Sequence, residues 1–153
     1  MGTIKYEHKV AAPPERTFEV FSNLERAAER VTGIQSLELL TPAPVGIGTR
    51  FRETRVMFGK EATEEMEITS FEPGRSYTTE AYSCGCHYKT IIDFLPDGGG
   101  TRVVMTMSTT PLTLGAKLFS PLMGVFAKAA MKKCIGADFS ELGAFAESQP
   151  ASA

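Results

Sequence analysis

Tryptophan is absent from this chain of 153 residues, histidine occurs twice and cysteine three times. Three thiols cannot all pair with one another and are too few for a disulfide scaffold. Two imidazoles leave little choice for a histidine-based catalytic triad. One-sided charge is missing as well: 16 Lys and Arg stand against 18 Asp and Glu, a formal net charge of −2 with no long single-sign run. That balance lacks the basic footprint of a nucleic-acid protein. No hydrophobic run is long. The longest uncharged stretch, 103–116, is interrupted by Ser, Thr and Pro, whereas a membrane-spanning helix needs roughly 20 apolar residues. Met1-Gly2-Thr3-Ile4-Lys5-Tyr6-Glu7 has none of the apolar character of a signal peptide. What remains, 42% hydrophobic and 22% charged residues, is the mixture of an ordinary globular domain. The expectation is one soluble, cytoplasmic domain over 1–147 with a frayed tail at 148–153. It would be a monomer or homodimer, with no nucleic-acid partner, no stable membrane insertion and no cofactor.

Periodicity divides the chain into three parts. Ile4, Tyr6, His8 and Val10 share one face against Lys5, Glu7 and Lys9, the alternation of a half-buried strand. Pro13-Pro14 then opens two short helical pieces. The first carries Phe18 and Phe21; the second, 24–31, follows a cap at Ser22 or Asn23. From Ile34 to Thr110 the period is 2, and Gly and Pro marks separate six strand-length segments: 36–41, 49–58, 62–71, 76–83, 87–95 and 101–109. Turns spaced in this way predict antiparallel hairpins, and Asp97-Gly98 is the sharpest hairpin signal. After a short turn at 115–119, Ser120-Pro121 predicts the start of a long helix reaching Glu147. Its apolar stripe is Met123, Ala127, Met131, Ile135, Leu142 and Phe145. Gly124, Gly136 and Gly143 each cost such a helix about 1 kcal/mol against Ala, so they ask for a reason, such as close packing or room for a ligand.

The order strand, two short helices, six strands, long helix resembles the START-like helix-grip superfamily (SRPBCC), and within it the polyketide cyclase/dehydrase and lipid-transport group. The matching words are Ala12-Pro13-Pro14 ahead of Phe18 and Phe21, Pro44-Val45-Gly46-Ile47-Gly48-Thr49, Ile68-Thr69-Ser70-Phe71-Glu72-Pro73-Gly74, and Asp97-Gly98-Gly99-Gly100-Thr101. They lie on turns and core positions, and so speak for fold more than for chemistry. Many relatives carry a Trp near the second short helix, where this chain has Val31 and Ile34. The resemblance implies an α+β fold in which a curved seven-stranded antiparallel sheet grips the C-terminal helix. It also implies an apolar cavity between the two and a small hydrophobic ligand.

Parity within each strand nominates the inward side chains. Met66 and Ile68 oppose Glu65 and Glu67; Tyr88, Ile92 and Phe94 oppose His87, Lys89 and Asp93; Met105 and Met107 oppose Thr106 and Ser108. Tyr77 and Phe51 lie on less sharply divided segments, and Glu53 shares its face with Phe51, Arg55 and Met57. With Met123, Ala127 and Met131 of the helix, these residues line the cavity that the resemblance implies. A Met-rich lining suits a flexible apolar ligand, although the same alternation also describes a filled core. For acid–base work the possibilities are Glu53, Glu80 and Asp138, with Tyr77 and Tyr88 able to donate to a substrate carbonyl. Arg50, Arg52 and Arg55 favour a surface ion pair at Glu53 over a catalytic role. Cys84-Gly85-Cys86-His87, with Cys134 and His8, falls short of a zinc pattern, so no metal is expected. Gly46-Ile47-Gly48 lacks the third glycine of a dinucleotide loop. The stretch 112–131, with Lys117 and Lys128, reads more simply as a core stripe than as a membrane-touching surface. The resulting functions are binding or transport of a small hydrophobic ligand, a polyketide cyclase/dehydratase-type enzyme, or a protein-interaction module.

Overall fold

The alternation that opens the chain becomes β1 (Gly2–Val10), with Ile4 and Val10 buried and Lys5, Glu7 and Lys9 exposed. This computed structural model describes residues 2–42, 44–57, 60–83 and 85–148, and among these the side chains of all but 2, 57, 60, 83 and 116–130. Helix α1 (Pro14–Ser22), a 3-10 turn (Leu24–Arg26) and helix α2 (Ala27–Arg30) follow. Then come β2 (Ile34–Leu39), β3 (Arg50–Met57), β4 (Lys60–Glu72), β5 (Ser76–Ser83), β6 (Cys86–Asp97) and β7 (Gly100–Pro111). Helix α3 (Leu114–Ser148) closes the chain.

Pro14 takes the first position of α1 with Glu15 beside it, as the helix dipole favours. The start is tied down by hydroxyls: Thr17 Oγ1 donates to the Ala12 and Pro13 carbonyls at 3.2 and 2.9 Å, and Thr101 Oγ1 to Ala12 at 2.7 Å. The helical piece predicted at 24–31 is shorter and divided, because Asn23 makes no capping bond and Arg26 leaves helical geometry at φ −113°. The long helix begins at Leu114, ahead of the predicted Ser120-Pro121 start. The Leu112 and Thr113 amides donate to the Gly85 carbonyl at 2.8 and 3.3 Å. They fix the chain directly behind β7, and the turn expected at 115–119 becomes the first turns of α3. Pro121 therefore lies inside the helix.

All seven strands form one antiparallel sheet in the order β1-β7-β6-β5-β4-β3-β2. The β6–β7 hairpin turns through Gly98 and Gly99 at φ 58° and 88°, the doubly left-handed turn that Asp-Gly foreshadows. Register shifts between Ile34 and Ser36 in β2 and between Ile68 and Ser70 in β4 bend the sheet. The shift in β4 also changes its parity, so Ile68 and Phe71 both reach the core.

Helix α3 approaches β1 closely. A Cβ at Gly136 would lie 2.9 Å from Tyr6 Oη, and one at Gly143 3.2 Å from Val10 Cγ2. Close packing is therefore the reason for Gly136 and Gly143; the surroundings of Gly124 lie outside the described residues. The main core joins Phe18 and Phe21 of α1 to Tyr77, Phe94, Val103 and Met105 of the sheet, and to Ile135 and Phe139 of α3. Leu24, Phe51 and Ile68 make a second cluster, and Ala27, Val31 and Ile34 a third.

Candidate functional site

Side-chain size decides where the concave face of the sheet is filled. One rung of the ladder carries Tyr77, Ile92 and Met105 side by side. Phe18 packs edge-on against Tyr77 and Phe94 at 5.8 and 5.2 Å, and Phe21 against Phe139 at 5.2 Å. That part of the grip is solid. On the next rung the residues are Thr79, Thr90 and Met107, and beyond it Met66, Ala81 and Tyr88. Short side chains at 79, 81 and 90 cannot reach the helix. A hollow of about 110 Å³ remains, lined by Glu64, Met66, Thr79, Ala81, Tyr88, Thr90 and Met107 of the sheet and Met131 of α3.

The structure thus brings Met66, Tyr88, Met107 and Met131 to one hollow. Tyr77, Ile92, Phe94 and Met105 pack into the main core instead of lining it, because the aromatic rings of α1 and α3 occupy the space above them. Phe51 and Ile68 pack with Leu24 in the second cluster. Met123 and Ala127 lie outside the described side chains. The Tyr77 hydroxyl, read as a donor to substrate, donates to the Phe21 carbonyl at 3.3 Å. Burial, with a smaller effect from Glu53, pushes its pKa well up. Glu64 and Thr90 went unrecognised in the sequence. Both share the parity of inward neighbours, Glu64 with Met66 and Ile68, and Thr90 with Tyr88 and Ile92.

Of the acidic candidates, Glu53 and Asp138 meet at one guanidinium. Arg55 Nε donates to Glu53 Oε1 at 2.7 Å, and Arg55 Nη1 stands 3.0 Å from Asp138 Oδ2. The triad joins β3 to α3, and each of its side chains is a fifth exposed or less. Burial alone would lower the Arg55 pKa, but Glu53 and Asp138 outweigh it and the cation is held more firmly. Burial raises the Asp138 pKa, aided by Glu53 and Glu141 and opposed by Arg55. Glu53 is thus committed to an ion pair, but not the surface one expected: α3 brings Asp138 over β3 and shields the pair from solvent. Glu80 sits on the outer face, where it bonds His87 Nε2 at 2.8 Å. Hydrogen bonds from Thr69 and His87 lower its pKa.

Cys84 lies outside the described residues, and Cys86 and Cys134 are free, half-buried thiols. Among the described residues no three of His, Cys, Asp and Glu are grouped to hold a metal ion, and no helix is long and apolar enough to cross a membrane.

A seven-stranded antiparallel sheet folded about a 35-residue helix defines a helix-grip protein. Residues 1–147 match the family described as polyketide cyclase/dehydrase and lipid transport, and the chain belongs to that family. No curated protein matches it in sequence. Among solved structures it is similar to the Thermus thermophilus protein TTHA0849, with TM-score 0.80 and 25% identity over 99% of this chain and 100% of that one. It also resembles the Zhui aromatase/cyclase of a Streptomyces species, with TM-score 0.78 and 16% identity over 95% and 93%. Norcoclaurine synthase from Thalictrum flavum, solved with dopamine and hydroxybenzaldehyde, gives TM-score 0.68 and 17% identity over 97% and 88%. The last two likenesses speak for the fold.

Proposed function

We propose that this protein binds a small hydrophobic molecule, lipid-, polyketide- or quinone-like, in the hollow between the sheet and α3, and carries it. The observation behind this reading is the hollow itself, with Met66, Met107 and Met131 beside Tyr88, Thr79 and Thr90. Removing apolar surface from water gives about 25 cal/mol per Å², and the hydroxyls orient the guest. At about 110 Å³ the hollow is smaller than the roughly 300–1,000 Å³ that houses drug-sized ligands. Three thioethers at its wall supply the adaptability a larger guest needs. The family description, which joins cyclase/dehydrase to lipid transport, supports the same reading.

Native mass spectrometry of gently purified protein tests it, with titration of a hydrophobic fluorophore in parallel. A retained organic mass, or saturable binding competed by lipids or aromatic ketones, is expected. The absence of both a retained mass and saturable binding would refute the carrier.

A cyclase/dehydratase-type enzyme is the second reading, favoured by a carboxyl group, Glu64, and a phenol, Tyr88, on the same hollow. There the wall would fold a poly-β-ketone chain, and these two groups would move protons. Glu64→Gln and Tyr88→Phe should then abolish product formation while fluorophore binding persists. Unchanged turnover in both variants removes the enzymatic reading.

A further inference from the structure

Strand β1 is an edge strand. Its ladder to β7 runs through all nine residues without a bulge, and among the described residues its other edge pairs with no strand. A regular free edge offers backbone donors and acceptors at the spacing a further strand requires. Its outer row, Thr3, Lys5, Glu7 and Lys9, is exposed. Edge lysines ordinarily discourage pairing, so what matters is whether any strand complements this row. One does: the same strand, reversed.

We propose that two copies of this chain associate through β1, antiparallel and related by a two-fold axis at Tyr6, so that the sheet continues from one protomer into the other. A two-fold axis normal to the sheet keeps concave face with concave face, so opposed residues must have equal parity. With Tyr6 opposite the partner's Tyr6, all nine residues of β1 overlap. Lys5 then faces the partner's Glu7, and Glu7 the partner's Lys5. Sliding the pair by two residues destroys the match. One direction sets Lys5 against the partner's Lys5; the other sets Glu7 against the partner's Glu7 and Lys5 against the partner's Lys9. Full overlap and charge complementarity therefore select the same register. Within one protomer Glu7 stands 3.5 Å from Arg102 and Lys9 3.3 Å from Asp97. Lys5 makes no ion pair among the described residues, so its ammonium is the group that gains a partner.

Analytical ultracentrifugation of the full chain across a wide concentration range tests this. The wild type is expected to show a reversible monomer–dimer equilibrium. Lys5→Glu and Glu7→Lys, taken singly, each create two like-charged pairs per dimer and should weaken association about tenfold or more. The double variant K5E/E7K restores complementarity and with it the wild-type constant. An equimolar mixture of the two single variants should also associate, because an edge of two acids then meets an edge of two bases. Circular dichroism checks the fold. Lys5→Glu alters an exposed residue that makes no ion pair among the described residues, so it decides the matter alone if Glu7→Lys does not fold. A wild type monomeric at every concentration overturns the proposal. So does a dimer indifferent to Lys5→Glu, or a loss that neither the double variant nor the mixture recovers.

Discussion

Replacing Gly136 with alanine sets two calculable effects against each other. In a helix interior, Gly→Ala is worth about 1 kcal/mol of stability. The new Cβ, however, would lie 2.9 Å from Tyr6 Oη, and the next nearest atom, Tyr6 Cζ, is at 3.5 Å. The Tyr6 ring is not free to swing away, because it packs edge-on against Phe139 with centroids 5.7 Å apart. Overpacking of this kind costs about 1–3 kcal/mol, so Gly136→Ala should destabilise the protein by about 1 kcal/mol. Tyr6→Phe removes only the offending oxygen, which makes no hydrogen bond among the described residues, and should be close to neutral alone. In that background the nearest remaining contact is an ordinary one. Gly136→Ala should then stabilise by about 1 kcal/mol, giving a coupling energy of about 2 kcal/mol across the pair. Urea denaturation of all four proteins, with unchanged slopes, measures the cycle. A Gly136→Ala effect of the same sign and size in both backgrounds would show that the glycine is not there for β1, and the account of how α3 seats would fail.

Three further outcomes follow from the charged triad and the hollow. Because burial raises the Asp138 pKa, the folded protein holds a proton there at a pH where the unfolded chain has lost it. Its contribution to stability must fall as pH rises from about 4 through the raised pKa and then level off. The stability difference between wild type and Asp138→Asn, followed by thermal melts from acid to neutral pH, should trace that decline; a difference growing with pH contradicts it. Arg55→Met leaves Glu53 and Asp138 half-buried without their shared cation and should cost about 1–3 kcal/mol at pH 7, between surface and buried ion-pair behaviour. Equal stability to wild type would mean the triad holds nothing. Ala81→Leu extends a side chain into existing space. Fluorophore binding should fall at least about tenfold for a stability change under about 1 kcal/mol, whereas Val103→Leu, at a fully buried position of the main core, should cost about 1–3 kcal/mol. Equal penalties at the two sites would argue that the hollow is not real space.

Much of this architecture is legible in local pattern, because the hydrophobic effect writes it there. Charged residues alternate with apolar ones in β1, and directly after Asp97 the glycines Gly98 and Gly99 take the left-handed turn; both are read from a few neighbouring residues. The readings that fail depend on contacts between distant parts. Ser120-Pro121 carries the signature of a helix start, but the start is set by the Gly85 carbonyl receiving the amides of Leu112 and Thr113. Nothing local to 114–121 announces that contact. Likewise the extra residue in β4 is defined by its register against β5, Ile68 with Thr79 and then Ser70 with Thr78. A single strand read for its period cannot reveal a mismatch with its neighbour.

The site was legible as a face but not as a space. Tyr77 and Thr79 have equal parity on one strand, yet Tyr77 is locked beneath Phe18 and Thr79 borders the hollow. What separates them is the position of α1, which covers one rung and stops short of the next. The same logic hid the pairing of Asp138 with Arg55, which requires the helix to fold back over β3. It also implies a division of labour along the grip. Where α1 supplies aromatic rings, affinity between sheet and helix resides in rigid packing, and changes at Phe18, Phe94 or Phe139 must be felt as lost stability. Where it does not, the sheet offers Thr79, Ala81 and Thr90, whose truncation or modest enlargement disturbs few packed neighbours. The chain can therefore vary the wall of its hollow without loosening the clasp that holds α3 in place.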